Sequence, residues 1–164
     1  MMNLLFSPSG RIGPSAYMKG IIVIAIIGAI LGVLPLLSPA FGALGIVGFV
    51  TFYIFIALGI KRSHDAGKSG WMVLTHILLS FGVGAVALFL VGLVTGVSLG
   101  DVFGAAFSGD IDAAEAAAET VEGPMYVIAS VVLGFIGQLV TGFLVNMFNP
   151  QDAGDNQWGP VPVA

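Results

Sequence analysis

The residues best equipped for chemistry are crowded into one short segment, Lys61-Arg62-Ser63-His64-Asp65-Ala66-Gly67-Lys68-Ser69-Gly70. A histidine beside a carboxylate is the raw material of a general base, and Ser63 and Ser69 supply hydroxyls. Adjacency in sequence does not supply the geometry that activates a nucleophile, however. Gly67-Lys68-Ser69 imitates the end of a phosphate-binding loop. That loop needs glycine where this chain has Arg62, and it needs a strand before it, where an apolar helix is expected here. His64, Asp65 and His76 have no recognisable metal-ligand spacing. The chain has no cysteine, which removes thiol nucleophiles, disulfides and thiolate metal sites. The reading is therefore of a protein that is not an enzyme, with no catalytic residue, cofactor or metal.

The elements that must hold this segment are apolar. Hydrophobic residues make up 57% of the chain and charged residues 9%, against about 25% charged in an ordinary soluble domain. Four apolar stretches stand out, at about 17–37, 41–60, 71–97 and 125–148. Each is long enough to cross about 30 Å of hydrocarbon as a helix. Unpaired backbone groups are not tolerated in lipid, so the many Ile and Val residues do not argue for strands. The expectation is an all-α, four-transmembrane-helix bundle forming one membrane domain over 1–164. It would carry an outside loop at 98–124 and a tail at 149–164. Pro35 and Pro39 bracket a tight reversal between the first two spans. The small residues after the first span resemble a signal-cleavage site, but the hairpin that follows favours a retained span.

Charge sets the orientation. Four crossings put both termini on one side, together with Arg11, Lys19, Lys61, Arg62 and Lys68. Asp101, Asp110, Asp112, Glu115, Glu119 and Glu122 fall on the other side; only Asp65, Asp152 and Asp155 join the basic one. Basic loops stay in the cytoplasm, so both termini are expected there. Asp65 and Asp155 are expected to pair with Lys or Arg, while Lys61 and Arg62 reach anionic lipid heads. Tyr17, Trp71 and Trp158 are expected at the membrane interface. Nothing in the charge pattern suggests nucleic acid.

Lipid is as apolar as leucine, so small residues and hydrogen bonds must hold the helices together. Stripes at a spacing of four place Gly20, Ile24, Gly28 and Gly32 in the first span, His76, Ser80, Gly84, Leu88, Gly92 and Gly96 in the third, and Ser130, Gly134, Gln138 and Gly142 in the fourth, and these faces are expected to meet one another. The Gln138 amide wants a partner such as His76, Ser80 or a backbone carbonyl. No Asp, Glu, Lys or Arg lies well inside a span, which weighs against ion-coupled transport. In the outside loop, Asp112 followed by Glu115 has capping-box spacing ahead of a short helix. Phe103, Ile111 and Val121 are expected to rest on the membrane surface.

Three motifs carry a resemblance. They are Gly10-Arg11-Ile12-Gly13 with Tyr17, the Lys61–Trp71 segment, and the tail Gly154-Asp155-Asn156-Gln157-Trp158-Gly159-Pro160-Val161-Pro162. Together they resemble the small bacterial inner-membrane family of uncharacterised function typified by YhaH. The resemblance implies an inner-membrane helical domain and no settled reaction. The chain departs from the pattern at Pro14, where a basic residue is usual, at Trp158, where a smaller aromatic is usual, and at Val161, where an acid is common. The four-crossing topology places all three motifs at one surface, where Arg11, Lys61, Arg62, His64, Asp65, Lys68 and Asn156 form a cytoplasmic polar cap. The expected function is an accessory or assembly subunit of a larger membrane complex, with another integral membrane protein or a second copy as partner. A small-molecule or lipid transporter is the alternative, and would need a polar cavity near Gln138 and His76. A lipid head-group enzyme would need a cleft at His64 and Asp65.

Overall fold

The computed structural model describes residues 5–97, 99–107 and 109–162; the side chains at 39, 99, 101, 102, 106, 114 and 122 also lie outside the description. Among the described residues the long α-helices are, in order, α1 Pro14–Val33, α2 Val47–Asp65, α3 Val73–Thr95, α4 Leu99–Phe107, α5 Ile111–Glu122 and α6 Pro124–Phe148. Short 3-10 turns occupy Leu34–Leu36, Pro39–Ile46 and Gly70–Met72. Among the described residues there is no strand, only an isolated bridge between Asn156 and Gly159. Among the described residues four stretches are long and apolar enough to cross a membrane: Pro14–Leu36, Ala40–Asp65, Gly70–Thr95 and Pro124–Phe148.

Two boundaries differ from the sequence expectation. The second apolar run begins as a 3-10 segment started by the Ser38 side chain and Pro39, and becomes α-helical only at Val47. At its other end the α-helix does not stop at Ile60. It continues through Lys61, Arg62, Ser63 and His64 to Asp65. The first half of the segment read as a loop is thus the last turn of α2. Gly67, at φ +69°, makes the reversal after it in a left-handed conformation that disfavours other residues.

Helix α6 is the centre of the assembly, packing along both α1 and α3, while α1 also packs on α2. Contact between α2 and α3 is sparse and is supplemented by the Gly70–Met72 turn. The buried apolar cluster (Ile12, Tyr17, Ile21, Ile24, Ile54, Phe55, Leu58 and Val145) belongs to the half of the bundle that carries the basic residues. The helices are therefore drawn together at that end and less tightly packed at the other.

Glycine makes the close end close, at Gly20 and Gly142 of the expected stripes and at Gly59 outside them. A Cβ on Gly20 would sit 2.5 Å from Leu58, one on Gly59 2.8 Å from Val73, and one on Gly142 2.9 Å from Ile21. Gly32 does the same against Val131, at 2.6 Å. Gly28, Gly84 and Gly134 have open space where a Cβ would stand, so they are not packing contacts. Gly92 accepts a hydrogen bond from the Gly96 amide at the end of α3. Of the expected stripes, the close approaches thus fall at Gly20, Gly32 and Gly142.

In the connection between α3 and α6, α5 is capped by Asp110, which accepts from the amides of Asp112 and Ala113. The expected Asp112–Glu115 box is thereby displaced two residues upstream. Phe103 and Ile111 are exposed, as a surface-resting role requires, whereas Val121 turns into a cavity against α1 and α6. The side chains of Asp101 and Glu122 lie outside the described set.

Candidate functional site

The basic end is a single hydrogen-bonded knot. Arg62, on the last turn of α2, is fully buried. Its guanidinium donates from Nε to Asn146 Oδ1 at 2.7 Å, from Nη1 to Asp65 Oδ2 at 2.5 Å, and from Nη2 to the Asn149 carbonyl. One planar fork thus clamps α2 to the end of α6, the geometry for which arginine is better suited than lysine. The second oxygen of Asp65 accepts from Arg11 Nε at 3.2 Å. Arg11 also donates to the carbonyls of Asp152, Gly154 and Gly159, which ties the segment before α1 to the tail. A single carboxylate therefore sits between two guanidinium groups, both with side chains almost wholly buried.

The other cap residues complete the knot. His64 Nδ1 lies 3.1 Å from the Gly10 carbonyl, which fixes Nδ1 as the protonated nitrogen. The imidazole stacks on Trp158 with ring centres 3.8 Å apart and planes 6° apart. Asn156 Nδ2 donates to the His64 carbonyl and to Asp152 Oδ2. Lys68 Nζ donates to the Phe148 carbonyl and to Asn149 Oδ1, both at 3.0 Å. That places a cation on the carbonyl end of α6, where the helix dipole favours one. Lys61 is buried at the same end.

Three sequence expectations fail here. Lys61 and Arg62 do not reach lipid heads, because the fold buries both; Lys19 is the basic residue whose side chain stands exposed. Asp155 accepts from the Val161 amide in place of a cation. Tyr17 is not an interface aromatic, since it is wholly buried in the bundle, and Trp158 turns inward onto His64. Trp71 is 79% exposed.

Two residues the sequence reading passed over hold the knot together. Asn146 receives Arg62 and donates to the Pro14 carbonyl at 3.1 Å. Asn149 donates to the Val145 carbonyl and to Nε2 of His76, deep between α2, α3 and α6. Amides at the end of an apolar run were a usable signal, because a buried amide must find partners.

The arrangement leaves little for catalysis. Ser63 Oγ donates to the Gly59 carbonyl, Asp65 is held by two arginines, and His64 is fixed on both its ring face and its Nδ1. Among the described residues no group of three potential metal ligands comes together. Farther along the bundle, Gln138 does not meet its expected partners. His76 faces Asn149, and Ser80 Oγ donates to the Ile77 carbonyl. Gln138 instead lines a cavity of about 530 Å³ between α1 and α6. It also lines a second cavity, of about 260 Å³, bounded by α2 and Ser80 of α3.

Four apolar crossings gathered by a buried arginine–carboxylate knot define a small multispan helical membrane protein without evident catalytic chemistry. The chain belongs to the family described as Protein of unknown function (DUF805), which matches residues 5–105. This agrees with the resemblance carried by the three motifs and makes the chain a multi-pass protein of the bacterial inner membrane. The match includes Arg11 and the Lys61–Trp71 segment, and ends before α5, α6 and the tail. No curated protein matches the chain. No solved structure does either.

Proposed function

We propose that the protein is a noncatalytic accessory or assembly subunit of a larger membrane complex. The observation that carries this reading is the way the polar residues of the basic end are engaged. Ser63, His64, Asp65 and both arginines are tied to one another, to the tail or to helix ends, in bonds that hold elements together and leave no base and hydroxyl paired for attack. A rigid cap of this kind suits a part that presents fixed helix faces to a neighbour. The sparsely joined α2–α3 side is the face for a partner helix, with Phe49, Phe52, Leu78 and Phe81 exposed along it. Such faces associate in lipid by packing and not by apolar burial.

The test is isolation of the full chain from its native membrane in mild detergent, after crosslinking from photoreactive residues at positions 49 and 81. A stoichiometric integral membrane partner crosslinked at both positions is the expected result. Recovery of the chain alone, with crosslinks only to lipid, would overturn the proposal.

A further inference from the structure

The segment before α1 is held at two heights along α2. At the basic end, His64 Nδ1 donates to the Gly10 carbonyl at 3.1 Å. Farther along the helix, the Tyr53 hydroxyl donates to the Phe6 carbonyl at 2.9 Å. Tyr53 precedes His64 by eleven residues, so the two anchors stand about 16 Å apart along the α2 axis. The four residues from Phe6 to Gly10 reach about 13 Å when extended, and the two side chains span the rest. The segment therefore runs alongside α2 and not across the basic face. Leu5, just before it, packs against the buried apolar cluster. Gly10, at φ +84°, then turns the chain into Arg11 and the knot.

The upper anchor lies within the apolar part of the bundle. The first charged residue of α2 is Lys61, and Tyr53 stands eight residues before it, about 12 Å deeper. Helical side chains lean toward the N-terminus of their own helix, which for α2 is the end farther from the knot. The Tyr53 hydroxyl therefore does not reach back toward water. The segment also suits a medium that offers its backbone no hydrogen bonds. Pro8 has no N–H to satisfy. The Ser9 amide donates to Ser7 Oγ. The Phe6 and Gly10 carbonyls take the two side chains of α2.

We propose that residues 5–10 form a re-entrant wedge, seated among the acyl chains of the leaflet at the basic end. Tyr53 tethers its deep end and His64 its shallow end. Its partner is the lipid of that leaflet, which meets the ring of Phe6, 40% exposed. Hydropathy hides the wedge, because Ser7-Pro8-Ser9-Gly10 reads as a solvated lead-in to α1. This inference rests on how the segment lies on α2. It needs neither the accessory-subunit reading nor a choice of which side the knot faces.

The chain has no cysteine, so the depth can be measured directly. Nitroxide labels are placed singly on Phe6→Cys, Phe81→Cys and Ser69→Cys in the full chain, reconstituted in phosphatidylethanolamine–phosphatidylglycerol vesicles. Each is compared by its collisions with dissolved oxygen and with a water-soluble nickel chelate. Phe81 is exposed on α3, about 12 Å from the start of that helix, and Ser69 is exposed in the turn after α2. The label at position 6 is expected to match the one at 81, open to oxygen and shielded from nickel. Adding Tyr53→Phe should raise its nickel collisions about fivefold, the size of one net hydrogen bond, and leave the label at 81 unmoved. Hydroxyl-radical footprinting of the unmodified chain in the same vesicles gives a reading free of the label, and Phe6 should escape oxidation. A label at position 6 as open to nickel as the one at 69, or oxidation of Phe6 in the unmodified chain, would overturn the proposal. A label at position 6 that stays shielded after Tyr53→Phe would overturn the tether.

Discussion

Asp65 is the side chain on which the basic end depends, because it alone answers two buried guanidinium groups. Neutralising it in the Asp65→Asn variant keeps its shape but leaves Arg11 and Arg62 without a counter-charge. Removing one partner of a buried pair costs about 3–5 kcal/mol, so the variant is expected to melt far below the parent in detergent. Trp158→Ala should do less. It removes a stacked ring worth about 0.5–1.5 kcal/mol beyond its burial, and should free the tail first, read as faster proteolysis after residue 150 with the helices still protected. The residue types of this cap were legible in the sequence, and so was their convergence on one surface. What could not be read was which cation meets which partner. A charge count treats Lys61, Arg62 and Lys68 alike, whereas α2 turns Arg62 inward to Asn146 and Asn149 and the Gly67 turn sends Lys68 to the end of α6. Tyr17 was misplaced for a related reason. A tyrosine near the start of an apolar run suits the interface equally well until the packing of α1 on α2 and α6 buries it.

At the scale of the element, the glycines divide into two classes with opposite expected effects. Gly20→Ala and Gly142→Ala push a methyl into Leu58 or Ile21 at the α1–α2 and α1–α6 crossings, and overpacking of this kind costs about 1–3 kcal/mol. Gly28→Ala and Gly134→Ala meet nothing, and helix propensity alone should then favour alanine by about 0.5–1 kcal/mol. Thermal melting of the four single variants checks the division. It fails if all four move the same way. The cap of α5 gives a second test. Asp110→Ala removes the acceptor for the Asp112 and Ala113 amides, a loss of about 1 kcal/mol. Asp112→Ala should cost much less, and hydrogen exchange at residues 112–115 separates the two. The existence and order of four apolar helices followed from length and composition alone. Their ends did not, because hydropathy drops at Lys61 while the α-helix runs on to Asp65. Arg62 there is accepted by partners more than eighty positions away in sequence, and His64 and Asp65 meet Gly10 and Arg11, 54 positions away, which no local pattern reveals.

For the whole molecule, the governing question is which side of the membrane the arginine knot faces. In the folded protein the basic end is far less positive than its composition, since Asp65 offsets part of the charge of Arg11 and Arg62 and burial hides Lys61. Orientation, however, is decided while the chain inserts, before those pairs exist, and acidic residues carry little weight in that decision. All five basic residues lie before, between or at the ends of spans on one side, and the short connections make their count effective. The knot is therefore expected in the cytoplasm, with α4 and α5 outside. The absence of native cysteine makes this directly measurable with two single-cysteine variants. Ser69→Cys lies in the exposed turn after α2 and Glu119→Cys on the exposed face of α5. A membrane-impermeant maleimide added to intact spheroplasts should modify the cysteine at 119 at once and the one at 69 only after permeabilisation. Modification in the opposite order would invert the molecule, and modification of both without permeabilisation would mean that α3 does not carry the chain across the membrane.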